Sequence, residues 1–228
     1  MKITGMRGLA TALLAVATLG GARGVQAAEE ILHFSSHIAV AASGDITVTE
    51  SITVNAEGKQ IRRGIYRDLS TQYQDVEGNP IEVPVTVLSA ERDGETVPYR
   101  IERRGPGEMR VYVGAADVLM EPGEYMFELV YRTRGQIRLV QGRDTLSWNT
   151  TGTWGFPIRK AESTIRLPAP VGEESLQTAA YTGTHDARRK EFTVEIPEPG
   201  VVRFETTAPL AAGEGLVVAV VFPADVVQ

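Results

Sequence analysis

"DITVTESITV", residues 45–54, alternates apolar and polar side chains at almost every step. An extended strand turns successive side chains to opposite faces, so this alternation is typical of a strand with one buried face. The buried face is predicted to carry Ile46, Val48, Ile52 and Val54, and the opposite face Thr47, Thr49, Ser51 and Thr53. The preceding "HIAVAA" and the turn at residues 43–45 predict the other arm of a hairpin.

The same two-residue period recurs along the rest of the chain, in stretches such as "GEYMFELVYRTR", "KEFTVEIP" and "GLVVAVVF". The 23 glycines and 12 prolines punctuate these runs and favour turns over long helices. Only residues 114–123 hint at one or two helical turns. We therefore predict an all-β fold, an antiparallel β-sandwich or two fused sandwich-like halves, with a candidate seam near residues 167–175.

The first residues have the order of a signal peptide. Lys2 and Arg7 form a positive segment, "LATALLAVATL" at residues 9–19 is apolar, and "VQA" at residues 25–27 offers a cleavage site. The apolar run is shorter than the about 20 residues that a membrane-spanning helix needs. We therefore predict a signal peptide at residues 1–27 and an exported domain at residues 28–228, located in the periplasm or at the cell surface.

Composition excludes several classes of function. Without residues 1–27 the chain has 20 Lys and Arg against 29 Asp and Glu, a net charge of −9. A domain this acidic repels polyanions, so nucleic acid is not an expected partner. The chain has no cysteine, which excludes thiol catalysis, zinc–thiolate sites and disulfides. No cofactor is expected.

One basic segment, "GKQIRRGIYRDLS" at residues 58–70, is unusual in so acidic a chain. Gly64 interrupts the alternation and predicts a bulge or turn. Arginine grips carboxylates and phosphates through paired hydrogen bonds, so Arg62, Arg63 and Arg67 predict a site for an anion or an acidic partner. The alternative is that these charges are structural or solvated. We expect Arg67 to pair with Asp144 and to join two segments of the chain.

A second segment, "RDTLSWNTTGTWGFPI" at residues 143–158, contains both tryptophans, Trp148 and Trp154, with Asn149 between them. Tryptophan beside polar residues forms sugar-stacking platforms or interface anchors. Two such rings are also typical of a sandwich core. Both interpretations stay open at the level of the sequence.

Evidence for catalysis is sparse. His33 and His37 are four extended residues apart, about 13 Å, which is too far to share a metal ion. No nucleophile elbow, zinc-binding His-Glu motif or phosphate loop is present. We therefore predict no enzymatic activity, no catalytic residues and no metal site. The rival hypothesis is an envelope hydrolase that acts on glycans with paired carboxylates from Glu50, Asp68 and Asp144.

These segments also carry a resemblance. "GKQIRRGIYRDL", "RDGETVPY", "DTLSWNTTGTWGFPI" and "GLVVAVVFP" resemble, in this order, the predicted membrane proteins of domain-of-unknown-function family 2207, from about residue 29 to residue 222. The resemblance implies an exported β-rich domain followed, in full-length members, by transmembrane helices. Membrane attachment is thus expected only if the native chain continues beyond Gln228. The family brings no known reaction or ligand.

The leading hypothesis is a non-catalytic extracytoplasmic binding or interaction module of the bacterial cell envelope, with an envelope protein or an acidic ligand as its partner. The candidate binding residues are Arg62, Arg63, Tyr66, Arg67, Asp68, Asp144, Trp148, Asn149 and Trp154.

Overall fold

The structure is a computed structural model that describes residues 29–74 and 78–228. The predicted signal peptide therefore lies outside the described residues. The only helical element among the described residues is a three-residue 3-10 turn, Glu173–Ser175. The described residues contain no helix that is long and apolar enough to cross a membrane. The strands are β1 (Glu30–Val40), β2 (Ile46–Ala56), β3 (Ile65–Ser70), β4 (Gln72–Gln74), β5 (Pro80–Glu82), β6 (Val85–Arg92), β7 (Glu95–Thr96), β8 (Tyr99–Gly105), β9 (Glu108–Val113), β10 (Gly123–Thr133), β11 (Ile137–Val140), β12 (Arg143–Asn149), β13 (Ala161–Arg166), β14 (Gln177–Gly183), β15 (Arg188–Arg189), β16 (Phe192–Glu198), β17 (Val201–Thr206) and β18 (Gly215–Pro223).

The prediction of an all-β fold is confirmed. The largest sheet has eight strands in the order β16-β17-β13-β1-β2-β10-β6-β7, and its β1–β13 pair is parallel. A five-stranded sheet has the order β11-β12-β18-β14-β15, and a three-stranded sheet has the order β3-β9-β8. A short two-stranded sheet joins β4 to β5. Apart from β1–β13, the paired strands of these sheets are antiparallel.

Strand β2 lies near the middle of the large sheet and has the two faces that its alternation predicts. Ile46, Val48, Ile52 and Val54 are fully buried, and the serine and threonines between them are only half-buried. These side chains share one hydrophobic cluster with apolar residues of the five-stranded and three-stranded sheets, such as Val218. The sheets therefore bury a common core.

The one or two helical turns that the sequence suggested at residues 114–123 do not form. These residues form turns and irregular structure that lead into β10. The backbone N–H of Met120 donates to the carbonyl oxygen of Arg62 at 2.8 Å instead of to a carbonyl of its own segment. The segment therefore packs against the basic segment, and Pro122 prevents a helix from continuing beyond it.

Candidate functional site

Arg67 lies in the protein interior, where it forms an ion pair with Glu50. Strand β3 turns Arg67 toward the core and Asp68 toward solvent. The guanidinium of Arg67 donates from Nε to Oε2 of Glu50 at 2.7 Å and from Nη2 to Oε1 at 2.9 Å. Arg67 is 3% exposed and Glu50 is fully buried, so this is a desolvated, two-point ion pair.

Glu50 lies on the core-facing side of β2, and the surrounding groups complete its hydrogen bonds. The hydroxyl of Tyr131 donates to Oε1 of Glu50 at 2.9 Å. Burial raises the pKa of Tyr131, and the charge of Glu50 raises it further, so the hydroxyl stays a donor. Burial by itself lowers the pKa of Arg67, but the charge of Glu50 and the hydrogen bond to it, with smaller contributions from Tyr131 and Asp68, together outweigh burial and the pKa is raised. The guanidinium of Arg67 therefore keeps its charge.

The prediction that Arg67 pairs with Asp144 is wrong. Asp144 lies near the start of β12, whereas Thr150, which contacts Arg67, follows the end of that strand. Six residues of extended chain separate them by about 20 Å. Asp144 instead lines an open depression with Asp45 and Arg134, and burial raises its pKa.

Arg67 does join the basic segment to the tryptophan segment. Its Nη2 donates to the carbonyl oxygen of Thr150 at 2.9 Å. Gly152 lies so close that a Cβ added there would come within 2.3 Å of Nη1 of Arg67, and its φ of +66° is in the left-handed region. The hydroxyl of Thr151 accepts a hydrogen bond from the N–H of Leu216 at 3.0 Å, which attaches the segment to β18.

A stack of rings forms the second joint between the two segments. The rings of Tyr66 and Trp154 stack with centroids 6.3 Å apart, and Phe34 meets Trp154 edge-on at 6.3 Å. The indole N–H of Trp154 donates to the carbonyl oxygen of Thr151 at 2.7 Å. Trp154 is therefore a buried and hydrogen-bonded part of the core.

The outer face of the three-stranded sheet carries a second, partly exposed ion pair. Asp68 accepts two hydrogen bonds from Arg110, from Nε and from Nη2, both at 2.6 Å. Hydrogen bonding to Asp68 raises the pKa of Arg110. The guanidinium of Arg110 also lies 3.8 Å from the centroid of the Tyr66 ring, and that of Arg100 lies 4.2 Å from the Tyr112 ring. Cations and aromatic rings thus alternate along this face.

This face continues into a groove of about 600 Å³. We call it the arginine–tyrosine groove, defined by Arg62, Arg63, Tyr66, Tyr99, Arg100 and Tyr112. Arg62 and Arg63 are exposed and form no ion pair with any described residue, whereas Arg100 pairs with Glu102 at 3.1 Å. Asp117 also lines the groove, so the three arginines leave its wall with a positive balance of charge.

A close approach of two backbones forms one side of the groove. Gly64 has φ +126°, and a Cβ added to it would lie 1.9 Å from the carbonyl oxygen of Val113. Gly114 has φ +124°, and its added Cβ would lie 2.2 Å from the carbonyl oxygen of Arg63. The β3–β9 register from Ile65 to Ser70 has no bulge, so Gly64 instead ends the bend that precedes β3.

The carboxylate of Glu29, which no sequence pattern indicated, holds the loop that leads into the groove. Glu29 accepts hydrogen bonds from the backbone N–H groups of Glu57, Lys59, Gln60 and Ile61 at 2.9–3.3 Å. Burial alone would raise the pKa of Glu29, but these four donors outweigh it and lower the pKa. The next two residues of the chain are Arg62 and Arg63.

Trp148 and Asn149 do not line the groove. They line a cavity of about 330 Å³ together with Arg67, Asp68, Tyr73, Arg138 and Tyr181. We call it the Trp148 cavity. The candidate residues are therefore divided between a buried joint, the arginine–tyrosine groove and the Trp148 cavity, and Asp144 belongs to none of them.

The three carboxylates of the hydrolase hypothesis do not form an acid–base pair. Glu50 is fully buried and held by Arg67 and Tyr131, while Asp68 lies on the opposite side of β3 and is held by Arg110. Asp144 lies at the other end of β12 from this cluster. Among residues 29–74 and 78–228, no three His, Asp or Glu side chains are grouped in a way that could hold a metal ion.

Residues 30–222 match the profile of a protein family described as "Predicted membrane protein (DUF2207) N-terminal domain". The uncharacterized protein YciQ of Escherichia coli K12 is 25% identical over 156 residues, which are 68% of this chain and 25% of YciQ. The chain thus spans about a quarter of the length of this curated relative.

Two solved structures have a similar fold. The yeast LTA4 hydrolase in complex with bestatin has a TM-score of 0.51 at 14% identity, over 83% of this chain and 28% of that one. The native leukotriene A4 hydrolase of Saccharomyces cerevisiae has a TM-score of 0.50 at 15% identity, over 84% of this chain and 29% of that one. At these identities the likeness concerns the fold alone.

Proposed function

Because this chain belongs to the family of predicted membrane proteins whose N-terminal domain its residues 30–222 match, we propose that it is an extracytoplasmic binding module of the bacterial cell envelope. The module is exported to the periplasm or the cell surface and is non-catalytic. It binds an acidic segment of an envelope protein in the arginine–tyrosine groove. The order of charged, apolar and small residues at positions 1–27 supports export.

The observation that carries this proposal is the pair of exposed, unpaired guanidiniums at Arg62 and Arg63. By contrast, the inward-facing arginine of the same segment, Arg67, donates four hydrogen bonds within the protein. Unpaired arginines that are held beside tyrosines in a concave surface are suited to grip carboxylates, because each guanidinium offers two parallel donors. Arginine and tyrosine are also the residue types that dominate the binding energy of protein interfaces.

The rest of the surface favours an acidic partner at this position. The chain without residues 1–27 has a net charge of −9, so a polyanion is repelled by most of the molecule and attracted only by local basic surfaces. Glu29 holds the loop before Arg62 through four backbone N–H groups, and the Gly64–Gly114 contact holds the backbone after Arg63. This pre-organisation lowers the entropy cost of binding.

The test compares two double variants that remove equal charge. Arg62→Ala/Arg63→Ala removes the groove cations, and Arg103→Ala/Arg104→Ala removes two exposed arginines that do not line the groove. Binding to an immobilised peptide rich in Glu and Tyr is measured beside the same peptide with Gln in place of Glu. We expect the groove variant to lose about tenfold or more in affinity, since each charge-assisted hydrogen bond contributes about 1.5–3 kcal/mol.

The control variant should stay within about twofold of wild type, because exposed charges away from the contact act only through the screened long-range field. Equal losses in both variants would indicate non-specific attraction and contradict the proposal. Equal binding of the Glu and Gln peptides would also contradict it. A pull-down from envelope extract with wild type and the groove variant then identifies the natural partner.

A further inference from the structure

The Trp148 cavity is a second concave site that the proposed function does not use. It lies between strands of the small sheets and the five-stranded sheet, since its lining includes Tyr73 of β4, Trp148 of β12 and Tyr181 of β14. Its volume of about 330 Å³ is at the small end of the range of about 300–1,000 Å³ for small-molecule sites. A site of this size fits one or two small rings rather than a folded partner.

Trp148 lines this cavity and has an unsatisfied polar group. The residue is 8% exposed, and its indole Nε1 has no hydrogen-bond partner among the described residues. Trp154, by contrast, donates from Nε1 to the carbonyl oxygen of Thr151 at 2.7 Å. A buried N–H without an acceptor is unfavourable, and buried indole groups usually find a partner. The wall of the cavity therefore includes a residue with one unsatisfied polar group, although Nε1 itself has almost no accessible surface.

Side-chain amides around the cavity offer both donors and acceptors. The Asn149 side chain uses its Oδ1 to accept from the N–H of Gly152 at 3.1 Å, which leaves its NH₂ group available. Gln136 donates from Nε2 to the hydroxyl of Thr133 at 3.2 Å, which leaves its carbonyl oxygen available. Gln72 and Ser147 lie on the same lining. Mixed donors and acceptors beside aromatic faces match a ring that carries hydroxyl groups, whose C–H faces are apolar.

The charges of the lining leave one cation in excess. Arg67 is neutralised by Glu50, and Asp68 is neutralised by Arg110. Arg138 is half-buried and forms no ion pair with a described residue, and its guanidinium lies 5.3 Å from the centroid of the Tyr73 ring. A guanidinium that is held against a ring at the wall of a cavity is placed to bind a carboxylate.

We propose that the Trp148 cavity binds a carboxylated sugar residue of the uronic acid kind, with its carboxylate on Arg138. The ring of the sugar lies against the aromatic side chains, and the amides of Gln136 and Asn149 contact its hydroxyls. This site is independent of the arginine–tyrosine groove. No hydrolysis is involved, because Asp68 and Glu50 are already held by arginines.

Three probes separate the contributions of charge and ring. Glucuronate has both the ring and the carboxylate, glucose has the ring alone, and acetate has the carboxylate alone. Binding to the purified protein is followed by tryptophan fluorescence and by ligand-observed NMR. We expect saturable binding of glucuronate with a dissociation constant of about 1 mM or tighter. Glucose and acetate should each bind about tenfold more weakly or not at all.

Three single variants test the assignment of residues. Arg138→Gln should weaken glucuronate binding by about tenfold and leave glucose binding unchanged, since it removes only the charged contact. Trp148→Phe should leave the binding of both sugars within about twofold of wild type, because Nε1 is not exposed to the cavity. Arg63→Gln, which removes one charge from the arginine–tyrosine groove, should leave glucuronate binding within about twofold of wild type.

Several results would overturn the proposal. They are the absence of saturable glucuronate binding, equal binding of acetate and glucuronate, and an Arg138→Gln variant that binds glucuronate like wild type. Circular dichroism melts identify any variant that fails to fold, and Arg138→Gln remains decisive if Trp148→Phe unfolds, because Arg138 lies outside the hydrophobic core. Loss of peptide binding in the groove variant leaves this test unaffected, so the two proposals fail separately.

Discussion

Arg67 and Glu50 form a buried charge pair whose geometry satisfies most of its hydrogen-bonding groups. Two bonds join the partners, Tyr131 donates to Glu50, and carbonyl oxygens of Asp68 and Thr150 accept from Arg67. Such a pair adds little net stability, because desolvation offsets the attraction between the charges. Removing one partner is different, since it leaves a charge buried without compensation.

Arg67→Ala is therefore expected to lower the free energy of unfolding by about 3–5 kcal/mol. Arg62→Ala and Arg63→Ala should each change it by less than about 0.5 kcal/mol, since both side chains are exposed and unpaired. Urea unfolding of the three variants measures the difference. The double variant Glu50→Leu/Arg67→Met should regain most of the loss, and a double variant as unstable as Arg67→Ala would contradict the assignment.

Gly152 is required for a steric reason that another glycine of similar conformation does not share. Gly152 has φ +66° and Gly142 has φ +76°, but nothing lies within 4 Å of a Cβ added to Gly142. Gly142→Ala should therefore cost only the left-handed conformation, about 1–2 kcal/mol. Gly152→Ala should cost clearly more, because it also displaces Arg67 from Thr150. Equal thermal shifts of the two variants would show that the contact with Arg67 is dispensable.

At the scale of elements, strand β3 has one side in the core and the other side at the surface. Its inward side carries Arg67 into the core, and its outward side presents Tyr66 and Asp68 to Arg110 of β9. The loop before it is fixed by Glu29, which stands immediately before β1 and reaches the backbone of residues 57–61. Two elements that are distant in sequence thus position the arginine–tyrosine groove.

The Glu29 contact predicts a dependence of stability on pH. Because the pKa of Glu29 is lowered in the folded protein, its stabilisation is complete above the unfolded pKa of about 4.3. It is lost as the pH falls through the lower folded pKa. Glu29→Gln should thus cost at least about 1 kcal/mol at pH 7 and progressively less below pH 4. Unfolding by urea at several pH values measures this difference.

Glu30→Gln is the matched control, because it removes the same charge one residue away. Glu30 pairs with the exposed Arg159 and should contribute less than about 1 kcal/mol at neutral pH. If the cost of Glu29→Gln stayed constant from pH 7 to pH 3, the carboxylate charge would not be the source of the stabilisation.

At the scale of the whole molecule, three sheets share one core and leave two concave sites at their margins. The arginine–tyrosine groove lies at the three-stranded sheet, and the Trp148 cavity lies where that sheet approaches the five-stranded one. Tyr66 lines the groove, and Arg67 and Asp68 line the cavity, so consecutive residues of β3 connect the two sites.

Export should leave a mature chain that begins at Ala28 or Glu29. N-terminal sequencing of protein secreted by a bacterial host checks this prediction, and an intact Met1 on the exported protein would contradict it. Cleavage at either site retains Glu29, on which the loop before the groove depends. Cleavage after Glu29 would remove that carboxylate, so correct processing and an ordered groove are expected to go together.

The sequence by itself determined the class of the fold and the faces of its strands. Alternation with a period of two depends only on local chain geometry, so it was sufficient for the all-β prediction and for the buried side of β2. It also contained the signal that Glu50 and Arg67 are buried, because both occupy core-facing positions of their strands. For Arg67 the pattern led to the expectation of a pair with a carboxylate on another strand, but Glu50 was not recognised as that carboxylate.

Only the tertiary structure decided which charges and rings meet. Periodicity assigns a side chain to a face but not to a neighbour, and Arg67 finds Glu50 17 residues away and Thr150 83 residues away. Asp144 was a reasonable partner by sequence, yet the direction of β12 places it at the far end of the strand. The groove and the cavity likewise combine strands that are distant along the chain, because sheet order and register are set by long-range packing.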